Sequence, residues 1–348
     1  MPKALAAMSG GVDSAVTAHM LMNAGYETAG INLRLFDGDG CGSEKESAAA
    51  KAVAELLSIP FISYESKELF KNEVISRFVK TYEAGCTPNP CVECNRRVKF
   101  PVICRIADEK GFDKIATGHY ARIEYDAGSG RYLLYKASDG TKDQSYVLYG
   151  LNQSILSKTL FPLGTMTKKE VREIADSLSF PNAQKKDSQD ICFVPDGDYP
   201  SFIERFTGKK REHGQFVHTS GAVLGEHKGI ICYTVGQRKG LGLALPHPMF
   251  VLKKDTESNR VILCDGPELY RRVVEANDIN FIPFSRVDGS LRVKARTRYN
   301  QKEQWATLTQ TDEDRIRVEF DEPVRAAAPG QSLVMYDGEL LIGGGTII

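Results

Sequence analysis

The sequence has no excess of positive or negative charge, and it has no long apolar run. Its 45 lysine and arginine residues are balanced by 45 aspartate and glutamate residues, so the formal net charge is zero. Overall charge therefore gives no argument for a nucleic-acid partner, which would need locally concentrated cations. No apolar stretch reaches the roughly 20 residues of a membrane span, and residues 1–10 lack the basic start and apolar core of a signal peptide. We expect a cytoplasmic protein with no membrane partner.

The composition argues against disorder and against a disulfide framework. Hydrophobic residues make up 42% and charged residues 26% of the 348 positions, which is ordinary for a folded protein. This length allows two or three domains, each with a core of its own. In a reducing compartment we expect the eight cysteines to be ligands, nucleophiles or core residues rather than half-cystines.

A glycine-rich run near the start predicts an anion-binding turn. The run Ser9-Gly10-Gly11-Val12-Asp13-Ser14 follows a predicted strand at residues 4–8 and precedes a predicted helix. Glycines let backbone N–H groups converge on an anion, and the helix directs the positive end of its dipole at the same point. The run lacks the Gly-Lys-Ser/Thr ending of a P-loop. It resembles instead the loop of PP-loop ATP pyrophosphatases, which cleave ATP between its α and β phosphates and attach AMP to a substrate oxygen.

Strands and helices alternate up to about residue 200, which predicts an α/β domain with a doubly wound parallel sheet. The predicted strands are at residues 4–8, 28–35, 61–64 and 114–117, and the predicted helices at 13–23, 44–57, 67–83, from Pro101 to Lys110, and 168–177. Chemistry in such a sheet lies at the carboxyl ends of the strands, where both the glycine run and Gly118-His119 are placed. A hairpin at residues 122–136 is predicted to decorate this sheet.

Past Pro195, short strands with frequent turns predict two smaller β-rich domains. The predicted strands are at 214–217, 222–224, 249–253, 260–264, 278–281, 291–296, 304–309, 315–320 and 332–336. Those after residue 273 predict a small barrel. We place a catalytic PP-loop domain at residues 1–198, a central β-rich domain at 199–268 and a C-terminal β-barrel domain at 269–348.

Two cysteine-containing segments belong to longer motifs. Residues 86–99 read Cys-Thr-Pro-Asn-Pro-Cys-Val-Glu-Cys-Asn-Arg-Arg-Val-Lys, and residues 185–194 read Lys-Lys-Asp-Ser-Gln-Asp-Ile-Cys-Phe-Val. Together with the loop at Ser9 and the segments 118–122, 142–145 and 236–240, they resemble the tRNA-specific 2-thiouridylase family (MnmA, also called TrmU). The match extends from the first strand to glycines 343–345. It implies a PP-loop catalytic domain followed by two smaller β-rich domains.

The resemblance implies ATP-dependent transfer of sulfur to carbon 2 of the wobble uridine in tRNA. The carbonyl oxygen of the base is a poor leaving group, so ATP must adenylate it before a sulfur nucleophile attacks carbon 2 and AMP departs. Asp13 would help to position Mg²⁺. By motif position, the nucleotide-binding residues are Ala7, Met8, Ser9, Gly10, Gly11, Val12, Asp13, Ser14, Leu33 and Gly118.

By the same resemblance, Cys192 receives sulfur as a persulfide and Cys94 is its partner. The sulfur donor would be a cysteine desulfurase or a relay protein. A thiolate near Arg96, Arg97 or Lys185 is expected to have a lowered pKa and to be reactive at neutral pH. Cys86 is left open. The cysteines interpreted as core residues are Cys41, Cys104, Cys232 and Cys264.

Cys91 departs from the family pattern, in which better-known members have an aspartate at this position. The change creates a C-x-x-C pair from Cys91 to Cys94, to which Cys192 adds a third thiolate. Three thiolates can hold a [4Fe-4S] cluster and leave one iron open for hydrosulfide. They also fit zinc, although an open zinc site would not explain sulfur delivery. The cluster and the persulfide relay are both retained as hypotheses.

The resemblance also implies contacts with tRNA. The wobble base must be turned out of its stack into a pocket, and Asn89, Pro90 and Cys91 match the segment that touches this base. The prolines at 88 and 90 predict a rigid approach. Arginine and lysine would meet phosphates, and Tyr299 offers a stacking face. The residues matching tRNA contacts are His119, Lys142, Asp143, Gln144, Arg298, Tyr299 and Gln331.

Two other functions use part of this pattern. A PP-loop ligase acting on a small molecule, similar to argininosuccinate synthetase or NAD synthetase, explains the glycine run but needs no C-x-x-C pair. An RNA-binding protein stabilised by structural zinc explains the cysteines but leaves the glycine run without a role. Pyrophosphate release with and without tRNA separates the first alternative from a thiolase. Stoichiometric zinc without ATP consumption would favour the second.

Overall fold

The computed structural model describes residues 1–38, 42–184 and 191–348, and strands alternate with helices in its first part. The strands there are β1 (Lys3–Ala7), β2 (Glu27–Arg34), β3 (Phe61–Glu65), β4 (Lys114–Ala116), β5 (Ala121–Asp126), β6 (Arg131–Lys136) and β7 (Thr159–Leu160). The helices are α1 (Val12–Asn23), α2 (Glu44–Leu56), α3 (Lys67–Phe70), α4 (Ser76–Glu83), α5 (Pro90–Cys94), α6 (Phe100–Lys110), α7 (Gln153–Lys158), α8 (Lys168–Ser177) and α9 (Tyr199–Thr207). Within the described ranges, none of the helices has the length and apolar character that crossing a bilayer requires.

A parallel sheet organises this first part. Among the described residues it has five strands in the order β3-β2-β1-β4-β7, and each pairing is parallel. Apolar clusters cover both faces, one built largely on α4 to α6 and the other on α1 and α8. Because the chain winds in opposite directions from β1 and from β4, a crevice forms at their carboxyl ends. The predicted doubly wound parallel sheet is confirmed.

Two helices of this part contain a π-helical turn. Residues Lys71–Ile75 join α3 to α4, and Asn95–Lys99 join α5 to α6. The predicted helix at 67–83 is confirmed, whereas the helix predicted from Pro101 begins earlier, at Pro90. Proline is favoured at the first helical position because its ring fixes φ and it has no N–H group to leave unpaired. Pro90 therefore starts a helix as well as stiffening the approach to it.

The central part of the chain is a small β-rich unit. Its strands are β8 (Gly214–His218), β9 (Val223–His227), β10 (Phe250–Asp255) and β11 (Arg260–Cys264), with 3₁₀ turns at Ile230–Cys232 and Gly266–Leu269. The sheet order is β10-β11-β8-β9, and β8 runs parallel to β11. Phe216, Tyr233 and Val251 are buried in its core.

A closed barrel forms the last part of the chain. Its strands are β12 (Tyr270–Phe281), β13 (Ser290–Arg296), β14 (Gln304–Asp312), β15 (Arg315–Arg325), β16 (Ser332–Asp337) and β17 (Leu340–Ile347). They pair antiparallel in the order β12-β15-β14-β13-β16-β17, and β12 also pairs with β17 to close the barrel. The predicted barrel is confirmed. Strand β17 was not predicted because its glycines have low strand propensity. At Gly343 a Cβ atom would lie 2.2 Å from the Asn280 carbonyl oxygen, so the closure itself requires glycine.

The hairpin β5–β6 joins the barrel rather than the parallel sheet. Strand β6 pairs with β17 through Tyr135 and Leu340, and Lys136 N–H donates to the Glu339 carbonyl at 2.9 Å. Arg122 adds an ion pair to the Glu339 carboxylate at 2.5 Å. The prediction that this hairpin decorates the parallel sheet was therefore wrong. An edge strand pairs with whichever edge the tertiary fold brings to it, and here that edge comes from the end of the chain.

Candidate active site

The glycine run forms a tight loop between β1 and α1, as predicted. Gly10 has a φ of +77°, and a Cβ atom there would lie 2.5 Å from the Glu46 carbonyl oxygen. Ser14 Oγ accepts a hydrogen bond from Ser9 N–H at 3.1 Å and donates one to the Gly11 carbonyl at 2.9 Å. These bonds fold the loop onto the first turn of α1, whose leading N–H groups have no partner within the helix. The geometry is that of an anion-binding loop.

A largely buried lysine beside Asp13 was not predicted from the sequence. Lys168 Nζ lies 2.7 and 2.8 Å from the two Asp13 carboxylate oxygens, and the Tyr120 hydroxyl donates to the same carboxylate at 2.9 Å. Lys168 begins α8, behind a capping box formed by Thr167 and Glu170. A helix dipole opposes a cation at this position, so the lysine itself was a signal of a partner elsewhere. The loop of residues 9–14, called the phosphate loop below, thus has the Lys168 ammonium group beside its Asp13 carboxylate.

The loop after β4 lies directly against the first turn of α1. A Cβ atom on Gly118 would lie 2.9 Å from the Asp13 carbonyl carbon and 3.0 Å from the Ser14 nitrogen. Only glycine permits this approach. Strands β1 and β4 are parallel neighbours, so the phosphate loop and Gly118 border the same crevice. On its other side, the Asn32 amide donates to the Met8 carbonyl at 2.7 Å and ties the end of β2, which carries the buried Leu33, to the loop.

Cys91 and Cys94 lie on one face of the same helix, because residues three apart are neighbours on a helix surface. Cys91 is exposed, whereas Cys94 is buried. The helix continues into α6, where the Phe100 ring packs against the His119 ring at 5.7 Å between centroids. His119 follows Gly118 of the crevice. The six residues from Cys94 to Phe100 advance about 9 Å along the axis, so the cysteine pair lies less than two helical turns from a residue that packs beside the crevice.

Cys94 is buried in one apolar cluster of the fold, and the partly buried Cys192 packs against that cluster. The residue after Cys192, Phe193, packs edge-on against Phe78 at 5.1 Å between ring centroids. Phe78 in turn borders the same cavity as Val92 of α5. These contacts bring the second cysteine segment to the helix of the first. Lys185, predicted to act on a thiolate, lies outside the described residues.

The three thiols of Cys91, Cys94 and Cys192 are not arranged as a single-ion site. Among the described residues, the one trio of His, Cys, Asp or Glu whose ligand atoms all lie within 4.8 Å of one another is His218, Asp265 and Glu268, in the central domain. Tetrahedral zinc with bonds of about 2.3 Å holds its sulfur ligands about 4 Å apart. The three sulfurs are therefore spaced more widely than zinc requires.

The other cysteines in the described part of the chain are Cys86, Cys104, Cys232 and Cys264, and burial affects the thiols of all four. All seven cysteines in the described ranges are present as thiols. Burial raises the pKa of the Cys104 and Cys264 thiols to about 11 and raises the pKa of the Cys232 and Cys86 thiols from its usual value. Thiols of this kind are mostly protonated at neutral pH and react slowly. Cys41 lies outside the described residues.

Three of the residues predicted to contact tRNA are held by bonds near the crevice. Asp143 is buried and accepts from Ser145 N–H at 3.1 Å and from Ser145 Oγ at 2.9 Å. Gln144 Oε1 accepts from Tyr120 N–H at 3.0 Å. His119 Nδ1 lies 2.7 Å from the Thr117 hydroxyl. Burial holds the pKa of the His119 imidazole well below its usual range, so at neutral pH this ring offers a hydrogen bond but no positive charge. Lys142 is half-buried beside them.

The other predicted tRNA residues join one domain to another. Arg298 donates to the carbonyls of Val235 in the central domain at 2.7 Å and Ala326 in the barrel at 3.1 Å. Gln331 Nε2 donates to the carbonyls of residues 87 and 88 at 3.0 and 2.9 Å. The Tyr299 hydroxyl donates to the residue 143 carbonyl at 2.8 Å, and the side chain remains 41% exposed. Tyr299 is the one of these three that keeps an open face for stacking.

A cavity of about 220 Å³ separates α5 from the barrel. Two of the three predicted target-base residues border it, whereas the third, Cys91, is exposed at the next position of the helix. Arg97 and Glu93 form an ion pair of 2.6 Å at its wall. The lining residues from this helix and its flanks are Pro88, Asn89, Pro90, Val92, Glu93 and Arg97.

Three family models match consecutive parts of the chain. The model described as tRNA methyl transferase HUP domain matches residues 2–196, that of the tRNA methyl transferase PRC-barrel domain matches 200–265, and that of the Aminomethyltransferase beta-barrel domain matches 271–347.

Curated relatives match over nearly the whole chain. The tRNA-specific 2-thiouridylase MnmA of Moorella thermoacetica is 48% identical over 351 residues, covering 99% of this chain and 98% of the relative. The protein of that name from Clostridioides difficile is 44% identical over 352 residues, with the same coverage. Among solved structures, the U34-tRNA thiolase NcsA from Methanococcus maripaludis with its [4Fe-4S] cluster is 18% identical, with a TM-score of 0.36 over 59% of this chain and 66% of that one. That likeness is too weak to bear on a cofactor.

Proposed function

The chain belongs to the tRNA-specific 2-thiouridylase family, and on that premise we propose that it adenylates the wobble uridine of tRNA and then replaces its O2 with sulfur through Cys94 and Cys192. It is a tRNA sulfurtransferase. The observation that best supports the reaction is the single helix that carries Cys91 and Cys94 and then packs, at Phe100, beside the phosphate-loop crevice. One crevice can therefore serve both the activated base and the sulfur carrier.

The first step activates the base. The uridine O2 attacks the α-phosphorus of ATP, the bond to the β-phosphate breaks, and pyrophosphate leaves. The N–H groups of residues 9–14 and the N-terminus of α1 are placed to bind the departing pyrophosphate, where negative charge builds up. Lys168 supplies a cation at the same loop, within 2.8 Å of Asp13.

Asp13 is the described residue best placed to hold Mg²⁺ at this loop. Mg²⁺ is usually bound by one or two carboxylates together with substrate phosphates, and Asp13 offers a carboxylate beside the loop. When bound, the ion would neutralise phosphate charge during pyrophosphate departure. The Lys168 ammonium contacts both Asp13 oxygens. Because each carboxylate oxygen has two lone pairs, the ion would share the carboxylate with this ammonium group.

The second step delivers sulfur. In the relay, the terminal sulfur of a Cys192 persulfide attacks carbon 2 of the adenylated base, and AMP leaves with the former O2. The Cys94 thiolate then attacks the Cys192 sulfur, breaking the sulfur–sulfur bond and leaving the new sulfur on the base. A Cys94–Cys192 disulfide results, and an external thiol reductant restores both thiols. The donor that loads Cys192 is proposed to be a cysteine desulfurase or a relay protein.

The alternative that we propose for sulfur delivery is a [4Fe-4S] cluster held by the same three thiols. The thiols come from one helix and from a segment that packs against the apolar cluster of that helix, and cysteine thiolates are the usual ligands of such clusters. Bound there, the cluster would supply an open iron for hydrosulfide. Cys91 separates the two proposals, because the relay uses only Cys94 and Cys192 whereas the cluster needs all three.

The experiment is a thiolation assay on unmodified tRNA with protein prepared without oxygen, with pyrophosphate and 2-thiouridine measured in the same samples. We expect Cys192→Ser to abolish 2-thiouridine while tRNA-dependent pyrophosphate release persists. Cys91→Ser abolishes thiolation and bound iron only if the cluster is used. Cys104→Ser, which removes a thiol of raised pKa outside the proposed site, is the matched control.

Two results would overturn the proposal. Pyrophosphate release that is independent of tRNA, with an adenylated small molecule as product, would indicate a PP-loop ligase. Full thiolation by Cys192→Ser would remove the sulfur-carrying role of that residue.

A further inference from the structure

One aspartate of the barrel, Asp278, accepts a hydrogen bond from the helical turn that follows Cys94. Asp278 lies on β12 where its pairing changes from β15 to β17. Its Oδ2 accepts a hydrogen bond from Arg96 Nη1 at 2.5 Å and lies 3.8 Å from Arg97 Nη2. Arg96 and Arg97 belong to the π-helical turn, two and three residues after Cys94. Such turns are often found at functional sites.

The backbone at Asp278 is strained, which calls for an explanation. Its φ is +52°, a left-handed conformation that is unfavourable for a residue with a side chain. Two residues later, Asn280 Nδ2 donates to the carbonyls of Tyr149 at 2.6 Å and Leu151 at 3.0 Å. The bulge thus directs two polar side chains of the barrel onto the catalytic domain, and these bonds offset the strain.

Arg96 is held from two sides. Its guanidinium meets Asp278, while its aliphatic stem lies over Gly150, where a Cβ atom would be 3.1 Å from Arg96 Cδ. Gly150 lies between Tyr149 and Leu151, the residues that Asn280 bonds. The barrel bulge, the 149–151 loop and the cysteine-bearing helix therefore meet at one point.

The neighbouring polar side chains of this helix are also bonded. Arg97 Nε donates to Glu93 Oε2 at 2.6 Å, and Asn95 Nδ2 donates to the Val147 carbonyl at 3.0 Å. The Arg97 bond lies within the helix, whereas Asn95 on Val147 and Arg96 on Asp278 hold the helix to two other segments of the chain. Its rotation about its own axis is therefore set, and this rotation determines where the Cys94 thiol points.

We propose that Asp278 is a positioning residue for sulfur transfer: through Arg96, it couples the seating of the barrel to the orientation of Cys94. The proposal rests on the proposed function, in which Cys94 takes part in transfer. Asp278 acts on the helix that carries the thiol, whereas the phosphate loop is built by other contacts. Its loss should slow sulfur transfer and spare adenylation. A displacement of about 1 Å at a reacting group can cost about 10²-fold in rate.

The test compares Asp278→Gly with a matched aspartate of the same barrel. Glycine adopts a φ of +52° freely, so the variant removes the carboxylate without adding strain. The control is Asp321→Asn, which weakens an exposed two-bond pair with Arg292, both bonds 2.8 Å. We expect single-turnover thiolation to slow about tenfold or more in Asp278→Gly, with pyrophosphate release within twofold of the parent. Asp321→Asn should change neither rate.

A double-mutant cycle shows whether Asp278 acts through Arg96. Because a residue acting through a partner loses its effect when the partner is absent, Arg96→Met combined with Asp278→Gly should be no slower than Arg96→Met alone. Three results would each overturn the proposal. The two substitutions could slow thiolation multiplicatively, Asp278→Gly could slow pyrophosphate release as much as thiolation, or Asp278→Gly could leave the thiolation rate unchanged.

The two proposals can fail separately. If the parent protein does not thiolate tRNA, the proposed function fails, whereas alkylation of Cys94 by iodoacetamide, followed by mass spectrometry, still tests the positioning. A Cys94 alkylation rate altered severalfold in Asp278→Gly and unaltered in Asp321→Asn supports it. Equal rates in both variants refute it.

Discussion

At the phosphate loop, the shaping bonds join residues only a few positions apart, whereas at the joint between the catalytic domain and the barrel they join distant segments. Ser14 bonds Gly11 and Ser9 within the loop. At the joint, Arg96 bonds Asp278 at a separation of 182 residues, and Gln331 bonds the residue 87 carbonyl at a separation of 244. The turn of the first region is shaped within its own segment, although distant Lys168 and Tyr120 also contact its Asp13. The second region exists only after the domains dock.

The difference separates two kinds of functional residue. In the proposed function the loop binds phosphate mainly through its backbone N–H groups. We therefore expect the identity of most loop residues, Asp13 excepted, to be limited by the space that the turn leaves. Between domains, the Arg298 side chain donates to a carbonyl of the central domain and the Gln331 side chain to a carbonyl of the catalytic domain. A substitution in the loop should therefore affect the nucleotide reaction itself, whereas one at the joint should affect how the domains present tRNA.

The largest effect is expected for Gly10→Ala. The new Cβ atom would lie 2.5 Å from the Glu46 carbonyl oxygen at a φ of +77°, so the loop must move. We expect tRNA-dependent pyrophosphate release to fall by about 10³-fold, because several backbone donors of the loop are displaced together. Gly25→Ala is the control, because Gly25 has a φ of +82° with no atom within 4 Å of the new methyl group. It should lose about 1 kcal/mol of stability and keep its activity. Equal activity of the two variants would contradict the comparison.

A smaller loss is expected when the cation of the loop is removed. Lys168→Met leaves the Asp13 carboxylate without its ion pair, and removing one preorganised charge at such a site typically costs about 10²-fold. Because the proposed adenylation would use this loop, pyrophosphate release is the measurement. The control is the adjacent Lys169→Met, whose ammonium pairs with Glu173 at 3.6 Å on the surface and is 86% exposed. Similar rates for both variants would rule out a role for Lys168 in the reaction.

An effect of about tenfold is expected at Arg298. The family resemblance predicts a phosphate contact, yet both bonds of its guanidinium are to protein carbonyls. We expect Arg298→Ala and Arg298→Lys to weaken tRNA binding alike, by about 1.4 kcal/mol or tenfold, with ATP binding intact. The slope of log affinity against log salt should stay that of the parent. A slope smaller by about 0.7–0.9 would establish a phosphate contact instead.

The smallest effect is a change of stability with pH where the central domain contacts Cys86 of the first domain. Burial lowers the pKa of the Lys254 ammonium to about 8, and the group donates to the carbonyls of Tyr233 at 3.0 Å and Cys86 at 3.3 Å. Between about pH 8 and the ordinary lysine pKa, the unfolded chain binds the proton and the folded chain does not, so stability rises with pH. We expect the melting temperature of the parent to rise over this window relative to Lys254→Met. Lys253→Met, at an exposed neighbouring position, should follow the parent. Parallel curves for the parent and Lys254→Met would refute the shift.

Much of the fold could be predicted because alternating strands and helices leave a periodic pattern in the sequence. The wrong placement of the hairpin β5–β6 and the failure to predict β17 have one cause, because β6 pairs with β17. A glycine-rich segment such as residues 343–345 has no local preference for a strand, and closing the barrel provides the only reason for one. Lys168 was missed for a related reason, since its partner Asp13 is 155 residues away.

By itself, the sequence determined the phosphate loop, the α/β class of the first domain and the presence of β-rich domains after it, because these depend on neighbouring residues and on periodicities of two and 3.6. Only the tertiary structure decided that Cys192 joins the cluster of Cys94, that Lys168 faces Asp13, and that Asp278 holds the turn after Cys94. Each of these contacts joins distant segments. Their pairing depends on strand register and domain docking, which no local propensity encodes.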